Sequence, residues 1–187
     1  DIADDGTVVV AVQASEVAPD VVRWDVDGTT SSLFGFTVFH TVEELAIGPT
    51  GTISGRVRSF ESEAGSLQSR IDAFVWTADG GLEAIVTIFP QSWWDRYIGV
   101  TAPNGLDQVA AGAYGLGVLW SPEGTRPFDL PNTFPVDLSD LGQVTGAVRG
   151  EPYSPDTGPE RGFLTGVDEP GPAPTTTTVT APPAHSS

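Results

Sequence analysis

Carboxylates are the most numerous side chains in this sequence that could take part in chemistry. The 187 residues include 25 Asp and Glu but only eight basic residues, which gives a formal charge of -17. Two carboxylates can hydrolyse a glycoside when an apolar setting raises the pKa of one of them. Many of the carboxylates here lie in Gly-containing turns that we expect to be solvated, namely Asp4, Asp5, Asp25, Asp27 and Asp79. No pair stands out, so a glycosidase or lyase is the third of three functions considered.

Nucleophilic catalysis has no visible constellation in the chain. A serine or cysteine nucleophile needs a neighbouring base, and the sequence holds no Cys and only two His, His40 and His185. His40 is interpreted as a polar residue at the end of a strand. The absence of Cys also excludes disulfides and thiolate metal sites. The sequence therefore predicts a protein that is not an enzyme, with no catalytic residues.

A hard cation is the one cofactor that the acidic composition suggests. Asp25 and Asp27 flank Val26 in a turn that ends at Gly28, and calcium prefers such oxygen ligands. The turn lacks the remaining ligands of a complete calcium loop, so a hairpin turn is the favoured interpretation. Calcium bound at Asp25 and Asp27 stays the alternative, and no other cofactor is expected.

Exposed aromatic residues offer a candidate binding surface. Trp93, Trp94 and Tyr97 are close together beside Asp95 and Arg96, in a connection between repeats. Packing of this loop on the body is the favoured interpretation, and stacking on sugar rings or anchoring of a protein partner is the alternative. A carbohydrate-binding module is the second function considered.

Internal repeats dominate the organisation of the chain. A turn followed by an apolar strand occurs four times, beginning at Asp5, Thr50, Asp107 and Leu141. A second unit follows each one and ends in Trp24, Trp76, Trp120 and, with the Trp replaced, Leu164. Hairpin turns with Gly28, Gly80 and Gly124 come after the three Trp units. We expect Trp24, Trp76 and Trp120 to be core residues.

Each copy predicts a four-stranded antiparallel meander, and a unit of about 44 residues is typical of a β-propeller blade. The prediction is an all-β, propeller-like array of four meanders over residues 1–168, with copies at about 1–42, 43–96, 97–133 and 134–168. A β-sandwich or an open β-solenoid of the same meanders is the alternative. The segment 61–68 is predicted to be a polar loop.

Residues 169–187 form a tail rich in Pro and Thr, a composition that resembles an O-glycosylated stalk. Candidate glycan sites are Thr175, Thr176, Thr177, Thr178 and Thr180. The first copy begins inside a strand and the fourth lacks its last one. A strand from 175–181 could complete the fourth copy within its own chain, or complete another chain and build a head-to-tail filament.

The net charge and the hydropathy of the sequence limit the kinds of partner that we expect. The negative charge disfavours nucleic acid, and no apolar run approaches the length of a membrane span. The chain begins at Asp1 rather than Met, which we interpret as processing. We expect an extracellular or cell-surface structural or interaction protein, with self-association and glycans as its partners.

The motifs also resemble a known family. The pattern Gly-x-Val-x-Gly, a variable loop and then Ala-Phe-x-Trp-x-x-Asp-Gly-Gly is clearest in 51–55 with 72–81, and in 108–112 with 117–124. It resembles the probable extracellular repeat family named for its His-Ala-Phe signature, over about residues 1–168. Asp72 stands where the signature has His. The resemblance implies an extracellular, propeller-like array without a common catalytic site.

Overall fold

The computed structural model describes residues 1–13, 18–37, 39–63, 66–88, 98–113, 116–128, 133–148, 161–166 and 177–179, which contain strands and turns but no helix. These strands form four antiparallel sheets, each a meander in chain order. Sheet A contains β1 (Val8–Val12), β2 (Asp20–Trp24) and β3 (Thr30–Gly35). Sheet B contains β4 (His40–Ile47), β5 (Ile53–Glu63), β6 (Ser66–Thr77) and β7 (Gly81–Ile88). Sheet C contains β8 (Gly99–Val100), β9 (Val109–Ala113), β10 (Leu116–Ser121) and β11 (Gly124–Pro127). Sheet D contains β12 (Thr133–Leu138), β13 (Gln143–Val148), β14 (Arg161–Gly166) and β15 (Thr177–Val179).

One hairpin turn recurs in all four sheets and shows that the repeat is structural. In each turn the backbone N–H of the fourth residue donates to the carbonyl of the first, and the N–H of the first residue donates to the carbonyl of the fifth. In sheet B these two bonds run from Gly51 N to Gly48 O and from Gly48 N to Thr52 O. The equivalent bonds lie in 3–7, 104–108 and 139–143. One residue of each turn has a positive φ: Gly6, Gly51, Asp107 and Gly142. Glycine adopts this conformation freely, and Asp is among the few other residues that tolerate it.

Sheets A to D pack on one another in chain order, and the strands of the inner sheets B and C contribute side chains from both faces to the cores. Along β6, Ile71, Ala73 and Val75 belong to the core shared with sheet C. Phe74, between them, belongs to the core shared with sheet A. A third core joins Ala110 of β9 to Val144 of β13. We call the face that meets the preceding sheet the upstream face, and the other the downstream face.

The second glycine of the repeated motif has a packing role. A Cβ on Gly55 would lie 2.4 Å from the carbonyl oxygen of Glu44 and 2.6 Å from Cζ of Phe74. Gly55 is opposite Phe74 in the β5–β6 register, so the missing side chain makes room for the ring. The Phe74 ring makes edge contacts with Phe34 and Phe36 of sheet A. The motif thus encodes a close aromatic contact between two sheets.

The prediction that all three Trp are core residues is correct for Trp120, correct in part for Trp76 and wrong for Trp24. Trp120 is only 6% exposed, and Trp76 is half-buried with its ring stacked on Phe34. Trp24 is 52% exposed. All three lie at the same register position, opposite Val8, Ile53 and Val109. That position is on the upstream face, and the described residues place no earlier sheet over sheet A.

Two finer predictions are also corrected. The segment 61–68 is not a loop over its described part, because β5 and β6 stay paired from Ile53 with Trp76 as far as Glu63 with Ser66. Backbone pairing extends a hairpin whatever the polarity of its side chains.

In sheet D, Val144 is opposite Thr165 rather than Leu164. Thr165 therefore holds the register position of the Trp residues.

The prediction of an all-β chain is confirmed. Sheet A has three strands, and Ile2 adds an isolated antiparallel bridge to Val8 where a fourth would lie. The described cores join A to B, B to C and C to D. Closure into a propeller ring stays a prediction, because no core among the described residues joins sheet D to sheet A.

Trp120→Ala and Trp24→Ala form a matched pair that tests this packing order. We expect Trp120→Ala to lower the free energy of unfolding by ~3–5 kcal/mol, since a buried ring leaves a cavity. Trp24→Ala should cost less than about 1 kcal/mol, as is usual for exposed positions. Urea unfolding followed by circular dichroism measures both. A loss at Trp24 as large as that at Trp120 would show that the upstream face of sheet A is covered within the chain.

Candidate functional site

The four repeated turns are linked to one another at one end of the sheets. Asp1 Oδ2 accepts a hydrogen bond from the backbone N–H of Ile47, which joins sheet A to sheet B. The Thr52 hydroxyl donates to Oδ1 of Asp107 at 2.5 Å, and the Thr50 hydroxyl donates to the same oxygen, so sheet B is joined to sheet C. The two Thr–Asp107 bonds pass between short polar side chains of neighbouring turns, and they fix how the turn of sheet B sits beside that of sheet C.

The turns of sheets C and D are linked by a second polar group. Asn104 is 5% exposed, and its Nδ2 donates to the carbonyl of Ser139 at 2.9 Å. The backbone N–H of Gly105 donates to Oδ1 of Asp140 at 2.7 Å. Buried polar groups are stable only when they are hydrogen-bonded, and the Asn104 side chain meets this condition by bridging two sheets.

A cleft of about 580 Å³ opens beside these turns and is lined by residues of sheets A, B and C. Its lining combines indole rings, carboxylates and a guanidinium: Trp76, Trp120, Asp79, Glu83, Asp107 and Arg23. The Trp120 Nε1–H donates to Oε2 of Glu83 at 3.0 Å. Carboxylates and a guanidinium supply the acceptors and donors that sugar hydroxyls need, and indole rings supply apolar surface. The cleft is therefore a candidate site for a polar, hydroxyl-rich ligand.

The two predicted calcium ligands have structural roles in their turn. Oδ1 of Asp25 accepts from Nε of Arg23 at 2.6 Å, and Oδ1 of Asp27 accepts from the backbone N–H of Thr29 at 2.8 Å. The Thr29 amide lowers the pKa of Asp27, and the Thr7 amide lowers that of Asp5 in the equivalent way. In the part of the chain that the structure describes, no group of three His, Cys, Asp or Glu side chains could hold a metal ion. Calcium at Asp25 and Asp27 stays a prediction.

Most of the other predicted site residues lie outside the residues that the structure describes. Trp93, Trp94 and Tyr97 are outside the described residues. So are Thr175, Thr176 and Thr180 of the tail. Thr177 and Thr178 lie in β15, opposite Leu164 and Phe163 of β14. The tail therefore supplies the last strand of sheet D within the same chain, one of the two arrangements that the sequence left open.

The upstream face of sheet A is an apolar surface that the packing of the sheets leaves uncovered among the described residues. Cross-strand pairing places Val8 opposite Trp24 and Val10 opposite Val22 on this face. Val12 continues the same row. Val10 is 37% exposed, and Val12 and Trp24 are each 52% exposed. At the equivalent positions of sheet C, Val109 and Ala111 are completely buried. An exposed apolar patch of this kind often marks a binding surface.

The sequence predicted neither the cleft nor the exposed upstream face of sheet A, for two reasons. The cleft depends on Arg23, Glu83 and Asp107, which belong to three different sheets and have no local motif. The exposed face was hidden by the repeat itself, since the sequence of β1 and β2 resembles that of the buried strands. The available signal was Val8–Val12, a run of apolar residues in the first of the four repeats.

Comparison with models of known protein families finds no match, and a search of the curated proteins finds none either. Among the described residues, no helix has the length and apolar character that crossing a membrane requires. Function must therefore be argued from the surfaces above.

Thr52→Val tests the link between the turns of sheets B and C. Thr52 is buried, and valine keeps its shape but removes the hydroxyl that donates to Asp107. We expect a loss of about 1–3 kcal/mol in the free energy of unfolding, as for a hydrogen bond to a charged group. Thr50→Val is the matched control, because Thr50 is exposed and water can replace its hydroxyl. Equal losses in a denaturant titration would contradict this assignment.

Proposed function

We propose that this protein is a non-enzymatic structural or interaction protein of the cell exterior that associates with copies of itself. The observation that carries the proposal is the apolar upstream face of sheet A, where Trp24 and Val12 are half-exposed. Burying such a face removes apolar area from water, which is the main driving force for protein association.

The acidic character of the chain supports a self-association that is selective. A formal charge of -17 opposes non-specific contact between copies through long-range repulsion. The upstream face of sheet A carries mainly Val and Trp side chains; its Asp20 carboxylate, opposite Val12, accepts a hydrogen bond from the Ser32 hydroxyl. Copies that meet there therefore bring mostly apolar side chains together. The resemblance to the His-Ala-Phe repeat family supports an extracellular location.

The tail provides a second means of association under this proposal. β15 contains only Thr177–Val179, pairs with β14 and is an edge strand of sheet D. A short strand at a sheet edge can be exchanged between identical chains at little cost, because the same backbone hydrogen bonds form in either arrangement. Donation of Thr177–Val179 to the next copy would join chains into a filament, with tail threonines carrying glycans where they face solvent.

Sedimentation of the full chain tests self-association. We expect the mass to rise above the 19.6 kDa of a single chain as the concentration increases. Deleting 170–187 should reduce the mass if the tail joins the copies. A full-length protein that stays monomeric at every concentration would overturn self-association, and an assembly that survives the deletion would overturn the role of the tail.

Carbohydrate binding is a second candidate function, and the cleft favours it. Asp79 and Arg23 are polar groups in its lining, and Trp76 offers an indole ring that is only half-buried. This arrangement meets the need of a sugar for hydrogen-bonding partners beside an apolar surface. The aromatic group Trp93, Trp94 and Tyr97 is the other proposed site for such a ligand.

Titration calorimetry of the full chain with a panel of soluble polysaccharides tests this second function. If the cleft is the site, Asp79→Ala should weaken binding at least tenfold. Glu123→Ala is the matched control, because Glu123 is an exposed carboxylate in the corresponding turn of sheet C and does not line the cleft. Binding lost in Trp93→Ala/Trp94→Ala but retained in Asp79→Ala would assign the ligand to the aromatic group instead.

A further inference from the structure

The cleft beside the turns carries more negative than positive charge. Its lining includes the carboxylates of Asp79, Glu83 and Asp107, and Arg23 is the one basic residue among the described residues that line it. Nε of Arg23 donates to Oδ1 of Asp25 at 2.6 Å, so a neighbour outside the lining already compensates the charge of this guanidinium. A cleft lined by one sign of charge raises the local concentration of ligands of the opposite sign.

Asp107 stands at a position where the other three repeats have glycine. The equivalent turn positions hold Gly6, Gly51 and Gly142. Asp107 has a φ of 59°, and a side chain in this left-handed region has a conformational cost. Its carboxylate offsets that cost, because Oδ1 accepts the hydroxyls of Thr50 and Thr52. Both bonds use Oδ1, so among the described residues Oδ2 keeps its lone pairs for a ligand.

Glu83 is a second departure from the repeat. In the β6–β7 register it lies opposite Val75. The same register position is Ser31 in sheet A and Arg126 in sheet C. Oε2 of Glu83 accepts from Nε1 of Trp120 at 3.0 Å, and among the described residues Oε1 keeps its acceptor capacity. The acidic lining of the cleft therefore belongs to the junction of sheets B and C and does not follow from the repeat.

Resting on the proposed carbohydrate binding, we infer that the cleft selects a sugar that carries a protonated amine, the chemistry of an amino sugar. Glu83 and Asp107 accept N–H groups of the ligand's ammonium groups, and the half-buried indole of Trp76 packs on its carbon skeleton. Hydrogen bonds between ionised partners are stronger than those between neutral ones, so the charged sugar is preferred over a neutral sugar of the same shape. An anionic sugar is repelled by the three carboxylates.

The remaining polar groups of the cleft favour an amino sugar over a lysine-bearing peptide. Asp79 accepts hydrogen bonds and Arg23 donates them, and a ring hydroxyl uses both functions. A lysine side chain has the ammonium group but no hydroxyl. The cleft, at about 580 Å³, also lies within the usual range for sites that take small ligands.

Titration calorimetry of the full chain with a matched pair of ligands tests this selectivity. A glucosamine tetramer carries ammonium groups at mildly acidic pH, and an N-acetylglucosamine tetramer has the same backbone with neutral amides. We expect the glucosamine tetramer to bind at least tenfold more tightly at low ionic strength. Added salt should reduce the difference, because it screens the attraction between the ammonium groups and the carboxylates.

Two variants assign the selectivity to the cleft. Glu83→Gln and Asp107→Asn each remove one charge and keep a polar side chain of the same shape. Asn tolerates the positive φ at position 107, and the new Gln side chain can still accept from Trp120, so thermal unfolding should show that both variants fold. Each should lower the preference for the glucosamine tetramer at least threefold. Glu123→Gln is the matched control, because it removes an exposed carboxylate that does not line the cleft.

The outcomes separate the selectivity from the proposed function. A glucosamine tetramer that binds no better than the neutral tetramer would overturn the selectivity. Carbohydrate binding then stands if any polysaccharide of the panel binds, and it falls as well if none does. A preference that is unchanged in both variants would overturn the cleft as its site. Trilysine that binds as tightly as the glucosamine tetramer would overturn the assignment to a sugar.

Discussion

The structure depends on strands that bury both of their faces. Along β6, alternate side chains belong to two different cores, with Phe74 in one and Val75 in the other. A strand of this kind needs a sheet on each side, because either face alone would expose its apolar residues to water. The repeat therefore specifies a row of sheets, and each sheet becomes the support for the next. The polar contacts between turns, such as Thr52 with Asp107, keep successive sheets aligned.

The first sheet follows from the same constraint. The residues on its upstream face are those that an inner sheet would bury. Trp24 is exposed because no other sheet among the described residues covers this face, although the sequence pattern is that of a buried strand. The same argument places Thr145 at the surface of the last sheet. The two surfaces differ in character, because the upstream face of sheet A carries exposed Val and Trp side chains whereas Thr145 and Asp137 are exposed on sheet D.

Much of the fold could be predicted from the sequence, since turns and alternation are local signals. The Gly turns at Gly6, Gly51 and Gly142 were recognisable, and so was Asp107 in the equivalent position. Positions that depend on an absent neighbour could not be predicted in this way, because Trp24 and Trp120 have similar local sequences. The cleft was also beyond prediction, as its residues come together only after three sheets have packed. The repeat pattern placed Leu164 at the position of the Trp residues, where the structure has Thr165, because the fourth repeat has no Trp to fix its register.

The buried side chain of Asn104 has a consequence for how the protein ages. Asn followed by Gly is the sequence most prone to deamidation, in which the glycine nitrogen attacks the asparagine side chain to form a cyclic imide. Here that nitrogen, in Gly105, is held by Asp140, and the Asn104 amide is fixed by Gln108 and Ser139. The backbone cannot reach the geometry of attack without breaking these bonds. The contact that joins two sheets thus also protects an Asn-Gly pair that is prone to deamidation.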